Sequence, residues 1–237
     1  MTTDTTMSAA DAVFEAEQAV GRARWVVEEL KETIGSALRV LNDAELDSAK
    51  AKLSGRGSFY LEAAGEHLGR LRTRCNEMPD LTHDLFVHLN RASQSVTDAR
   101  ALLDPADTSD PVIASEVAQL KPHLAVVGEM VTLAKPVAQL AAQHVETAHQ
   151  ASQDVTAMGL LEPVSLERSI ATAGKELGRA DEDVRLLGNV VDHAAASARE
   201  SAGIASEITD NARRRMSEQA RDPIPSPTLP GPRTPGR

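Results

Sequence analysis

Aromatic side chains are nearly missing from this sequence: one Trp, one Tyr and three Phe make up 2% of its residues. A core without rings must be filled by smaller groups, here Ala, Val and Leu. These let helices approach closely but give little volume per layer, so long helices suit the supply better than a thick globule. Cysteine is as scarce. Cys75 stands alone, which excludes an intramolecular disulfide framework. No segment alternates apolar and polar residues between turn signals, so strands are not expected. No unbroken apolar run approaches the length that spans a bilayer. The start, MTTDTT, is polar and acidic, and lacks the basic-then-apolar order of a Sec-type signal; a cytoplasmic location follows, with leaderless secretion compatible. Phosphate-cradling Gly loops, nucleophile elbows and His/Glu zinc helices are all absent from the sequence. A catalytic role and a cofactor are therefore not expected.

Charge is unbalanced toward acid. The net formal charge is −10, which argues against general nucleic-acid binding. The exception is 213–237, where six arginines face only Glu218 and Asp222, a local balance of +4 that leaves −14 elsewhere. Within it, Arg213, Arg214 and Arg215 are candidate contacts for an anionic surface or partner. The same three also suit a solvated helix C-terminus, where the dipole favours cations.

What the sequence does have is a sustained heptad register. Val13, Val20, Val27, Ile34 and Leu41 recur every seven residues, and Ala16, Ala23, Leu30 and Ala37 follow the first four at a spacing of three. Spacings alternating between three and four lay one apolar stripe along a long helix. The first helix is read over 9–42, with a weaker helical stretch over 43–57 that ends in the turn Ser54-Gly55-Arg56-Gly57. A second runs over 58–78 with Leu61, Ala64, Leu68, Leu71, Cys75 and Met78 in register, stopped by Pro79. Asp80 then caps a third that reaches 103 through Leu85, Leu89, Ala92, Val96, Ala99 and Leu103. After a loop over 104–110, Asp110-Pro111 opens a fourth. Its register runs from Ile113 to Val155, passing Pro122 and Pro136, both at the outermost heptad position; one kinked helix is preferred to three short ones. Gly159 and Pro163 mark the next break, and a fifth helix keeps its seam from Leu166 to Ala212. Asp181–Arg185 and Asp210–Arg214 along it are i,i+4 pairs in the favourable order.

The domain reading is a disordered 1–8, an elongated helical bundle over 9–220 that divides, if anywhere, near 104–110, and a disordered basic tail over 221–237. Six prolines between Pro223 and Pro235 make that tail extended and polyproline-like. The fold class is all-α, with long antiparallel helices packed in coiled-coil fashion. Beside the seam of the first helix, Ala12, Ala19, Val26 and Val40 widen the apolar face, which fits a bundle of three or more helices better than an isolated dimer.

All five aromatics, Phe14, Trp25, Phe59, Tyr60 and Phe86, fall off the seams. Either neighbouring helices cover them or they form a partner surface. Trp25 lies opposite its seam, so the second reading requires it to be largely exposed. Glu146-Thr-Ala-His149 matches the spacing of bundle metal ligands, and Asp80-Leu-Thr-His83 is a variant. Neither projects from a seam, no further helix completes a cage, and a metal is not expected. Cys75 on its seam reads as an inert core thiol.

Long alanine-rich helices over 9–216 followed by the Pro-rich 222–237 resemble, in layout, the helical N-terminal regions of actinobacterial type VII secretion substrates and polymorphic toxins. The Trp-x-Gly turn of those families is absent, since Trp25 is followed by Val26 and Val27. So is the Tyr-x-x-x-Asp/Glu export signal, since Ala64 lies four residues after Tyr60. The resemblance implies a secretion-associated helical module. The expected role is a non-enzymatic protein–protein interaction module, an adaptor, scaffold or secretion-associated domain, whose partner is another protein or a second copy of itself. A structural coiled-coil protein of the envelope or a filament is the alternative, and a metal-binding bundle enzyme the remote one.

Overall fold

The computed structural model describes residues 3–53, 57–103, 111–158 and 163–219, and every one of them is α-helical. Four helices follow in order: α1 (Thr3–Leu53), α2 (Gly57–Leu103), α3 (Pro111–Met158) and α4 (Pro163–Gln219). The longest, α4, has 57 residues, about 85 Å at 1.5 Å per residue. Each helix packs on two others, α1 on α2 and α4, α3 on α2 and α4. The result is an up-down-up-down four-helix bundle in which every neighbouring pair is antiparallel. The expected tail over 221–237 lies outside the described residues, as do the turn residues Ser54, Gly55 and Arg56.

The heptad seams form the core. In α1, Val13, Ala16, Val20, Ala23, Val27, Leu30, Ile34, Ala37 and Leu41 are all buried, and so are the flanking Ala19 and Val26. A buried stripe wider than the two seam positions needs more than one partner helix, and α1 has two. Where pairs approach closely, a glycine stands on one side. A Cβ on Gly188 would lie 3.8 Å from Val27 Cγ1, and one on Gly174 only 2.8 Å from Leu41 Cδ2. Ala195 and Ala202, both buried, continue the row of Gly188 at seven-residue intervals, while between Gly174 and Gly188 that row carries Asp181.

Two expectations about helix limits are corrected. The first helix extends beyond 9–42 at both ends, from Thr3 to Leu53. Pro79 does not stop the second helix, and Asp80 does not cap a third: α2 is one helix of 47 residues with Pro79 inside it. The reason is the seam. Cys75, Met78, Thr82 and Leu85 are all buried, at spacings of three, four and three, so the register crosses the proline unbroken. Burial of that stripe outweighs the one backbone bond that proline cannot make. Thr82 Oγ1 meanwhile donates to the Pro79 carbonyl at 2.9 Å. In α3, Pro122 and Pro136 also lie within one continuous helix, and both face solvent.

The α3 stretch Pro111–Gln153 is long and apolar enough, by length and composition, to cross a membrane, although Glu116, Lys121, Glu129, Lys135 and Glu146 interrupt it. Here its seam, including Val117, Leu120, Leu124, Val127 and Val131, is packed into the bundle core, while Val112, Leu133 and Leu140 remain exposed.

Candidate partner surface

The bundle leaves its aromatics in three places. Phe14 and Phe86 are half-buried and pack against the core from its edges. Phe59 is 63% exposed and meets Tyr60 edge-on at 5.4 Å between ring centroids, with Lys50 Nζ 5.7 Å above the Tyr60 ring. This pair sits where α1 turns into α2. Trp25 stands apart on the outer face of α1, 65% exposed. The five therefore do not form one surface. Phe14, Tyr60 and Phe86 are partly covered by the bundle, Phe59 marks one end of it, and Trp25 is a single large ring on its flank.

Beside Trp25 lies a notch that sequence reasoning missed. Gln18, Ala19 and Arg22 of α1 and His88 and Arg91 of α2 line it. Arg22 is one turn before Trp25, so the two side chains are neighbours on the helix surface. Val87, at the same level on α2, is 48% exposed. Arg22 makes no ion pair or hydrogen bond with the described residues, while Arg91 reaches Glu15 at only 3.9 Å. His88 Nδ1 is buried without a hydrogen-bond partner. Burial holds His88 protonation below the usual histidine range, the Arg22 and Arg91 charges add to this, and Asp84 opposes it.

A second polar group ties α3 to α4. His144 Nδ1 lies 2.6 Å from Glu176 Oε2 and its Nε2 3.7 Å from Asp183 Oδ2, while Arg179 Nη1 donates to Glu176 Oε1 at 3.0 Å. Burial alone would raise the Glu176 pKa, but the bond from His144 and the charges of Arg179 and His144 together hold it below the ordinary carboxylate value. His123 Nδ1 sits 2.9 Å from Glu200 Oε2, and Asn211 Nδ2 donates to Glu116 Oε1 at 2.6 Å. The His144–Glu176, His144–Asp183, His123–Glu200 and Asn211–Glu116 contacts cross the α3–α4 boundary and fasten the two helices, while Arg179–Glu176 lies within α4.

The remaining candidates are placed as follows. Arg213 pairs with Asp210 at 3.8 Å, so Asp210 is taken by Arg213 and not by Arg214 as the i,i+4 rule proposed; Arg213 and Arg214 are exposed and Arg215 half-buried. The companion pair, Arg185–Asp181, forms at 2.7 Å. Glu146 is exposed, and His149 Nε2 lies 2.7 Å from Gln153 Nε2. No group of three His, Cys, Asp or Glu residues that could hold a metal ion occurs among the described residues. Cys75 is wholly buried; burial pushes its thiol up to about 11, against a hydrogen bond with Ser152. No known protein family matches this chain, and no curated protein is similar to it.

Proposed function

We propose that the protein is a non-enzymatic helical interaction module, an adaptor, scaffold or secretion-associated domain, which engages a partner protein through the α1 face that carries Trp25. The supporting observation is Trp25 itself, 65% exposed on a bundle whose core is complete without it. Burying a ring of that size contributes on the order of 2–3 kcal/mol, and Trp is the residue type most enriched among the anchors of protein interfaces. Here that contribution is still available to a partner.

The test is in-cell photo-crosslinking from a reactive residue substituted at position 25, with exposed Glu182 on α4 as the control site. A discrete adduct from position 25 and none from 182 is the expected result. An adduct of twice the chain mass would identify the partner as a second copy. No adduct from position 25 would sink the proposal.

A further inference from the structure

We propose that His144 is a proton-operated clasp between α3 and α4: its doubly protonated ring spans Glu176 and Asp183, and loss of that proton loosens the boundary. One imidazole stands between two carboxylates of the facing helix. Nδ1 lies 2.6 Å from Glu176 Oε2, so a proton on Nδ1 is committed there. Nε2 faces Asp183 Oδ2 at 3.7 Å, and that oxygen is buried without a hydrogen-bond partner. A neutral ring has a single N–H, and Glu176 takes it. The ring then turns the lone pair of Nε2 toward a carboxylate. Only the imidazolium donates from both nitrogens, and a closure of about half an ångström brings Nε2 and Oδ2 within bonding range. Protonation therefore supplies the donor that the buried Asp183 oxygen lacks, where leaving it unpaired is costly.

The charges around the ring favour this state. On α4 the groups that face it are Glu176, Asp183 and Arg179. Arg179 opposes the two acids, but it is bonded to the other oxygen of Glu176. Its side chain is 49% exposed, against 12% for Glu176 and 23% for Asp183, so solvent screens it most. Along α3, the residues one turn away, Leu140, Ala141, Thr147 and Ala148, carry no charge. α2 meets α3 along the rows of Ser93 and Thr97, beside Gly128. Arg72 and His83 continue those rows, so they border the opposite flank of α3. Among the described residues α1 does not pack on α3. A protonation that the fold favours stabilises the fold. Its contribution is complete below the unfolded chain's histidine pKa, about 6.5, and is lost as pH rises above it. Glu176 stays ionised through that window, because its pKa is held below the ordinary carboxylate value. His123, whose one partner Glu200 is 63% exposed, lies on the same boundary without a buried acid and serves as a control.

The experiment is urea unfolding of the full chain from about pH 5.5 to about pH 8, the range over which histidine titrates. Native protein, His144→Asn, Asp183→Asn, the double variant and His123→Asn are compared, so that the other histidines cancel in the differences. Asn at 144 keeps a donor for Glu176 but carries no charge. Asn at 183 brings its own donor and needs no cation. On acidification the native chain should gain roughly three- to tenfold in folding constant relative to His144→Asn. Asp183→Asn should match or exceed the native chain at the alkaline end and fall behind it at the acid end. The double variant should be no flatter than either single one, and His123→Asn should keep most of the native dependence. A native pH dependence in His144→Asn or in Asp183→Asn would overturn the clasp. So would a flattening in His123→Asn as large as that in His144→Asn. Should His144→Asn fail to fold, the crossing of the native and Asp183→Asn curves decides alone, and parallel curves refute the clasp.

Discussion

Replacing Pro79 by Ala should stabilise the protein, and the size of the gain follows from the position of Pro79 inside α2. The ring removes the amide that would bond the Cys75 carbonyl and presses on that turn, a cost of about 3 kcal/mol in a helix interior. Part is returned because proline restricts the unfolded chain, by roughly 0.4–1 kcal/mol. Pro79 itself is half-buried while Met78 beside it is fully buried, so Ala at 79 leaves no core void. The net expectation is a gain of about 2 kcal/mol. Urea titration followed by circular dichroism would show it as a higher midpoint with an unchanged slope. A second substitution separates this from the alternative. If a helix began at Asp80, Asp80→Ala would remove its cap and cost about 1 kcal/mol. In a continuous helix, where Asp80 is an exposed interior residue, the same change is neutral or mildly stabilising. A lower midpoint in Pro79→Ala together with a destabilised Asp80→Ala would refute the continuous helix.

Gly178→Ala and Gly203→Ala, where nothing stands within 4 Å of the new Cβ, should each add about 0.5–1 kcal/mol, whereas Gly174→Ala, 2.8 Å from buried Leu41 Cδ2, should add nothing or destabilise; thermal midpoints of the three decide it. Ile34→Ala, at a site with no exposure, should cost roughly 2–4 kcal/mol, measured by the same urea titration, and Val184→Ala somewhat less. Cys75 has a folded pKa of about 11 against 9.0, so its contribution, on the order of 3 kcal/mol, is complete below pH 9 and is lost as pH rises through 11; Cys75→Ser should flatten that alkaline decline, and a thiol reagent should label the native chain only as fast as it opens. Glu176 is shifted the other way, so its stabilisation holds above the ordinary carboxylate pKa and fades as pH falls through its lowered one; Glu176→Gln should flatten acid unfolding curves between those points.

The radial layout of this fold was legible because a heptad is a statement about which side of a helix is dry. Every α1 seam residue from Val13 to Leu41 is buried, and the open flank of Ala19 and Val26 announced a second neighbour. Pro79 is the exception: the local rule that proline ends helices competes there with a buried stripe, and the stripe prevails. It continues through Thr82, which is buried although its hydroxyl makes it polar. At Pro122 and Pro136 the register is apolar on both sides, and the helix is continuous there too. Gly174 and Gly188 of α4 were equally present in the sequence. Their meaning depends on which helix they face, and that is a property of the assembled ring.

The misplaced break is also why the notch at Trp25 could not be seen. In two antiparallel helices joined by a short connection, residues equally far from the turn stand level with each other. Lys50 and Tyr60 are equally far from residue 55 and are in contact; so are Arg22 and His88, which line one notch. The level of His88 follows only if α2 runs straight from Gly57 to Leu103. A reversal at Pro79 would send residues 80–103 back in the other direction and bring His88 and Arg91 to a different part of α1. The same rule applied across the α3–α4 connection places His144 opposite Glu176, both equally far from residue 160, and there the two side chains meet at 2.6 Å. Heptad position gives the side of the helix, and distance from the turn gives the height along it. A cross-helix site needs both coordinates, and one proline taken as a helix end removed the second for every residue after it in α2.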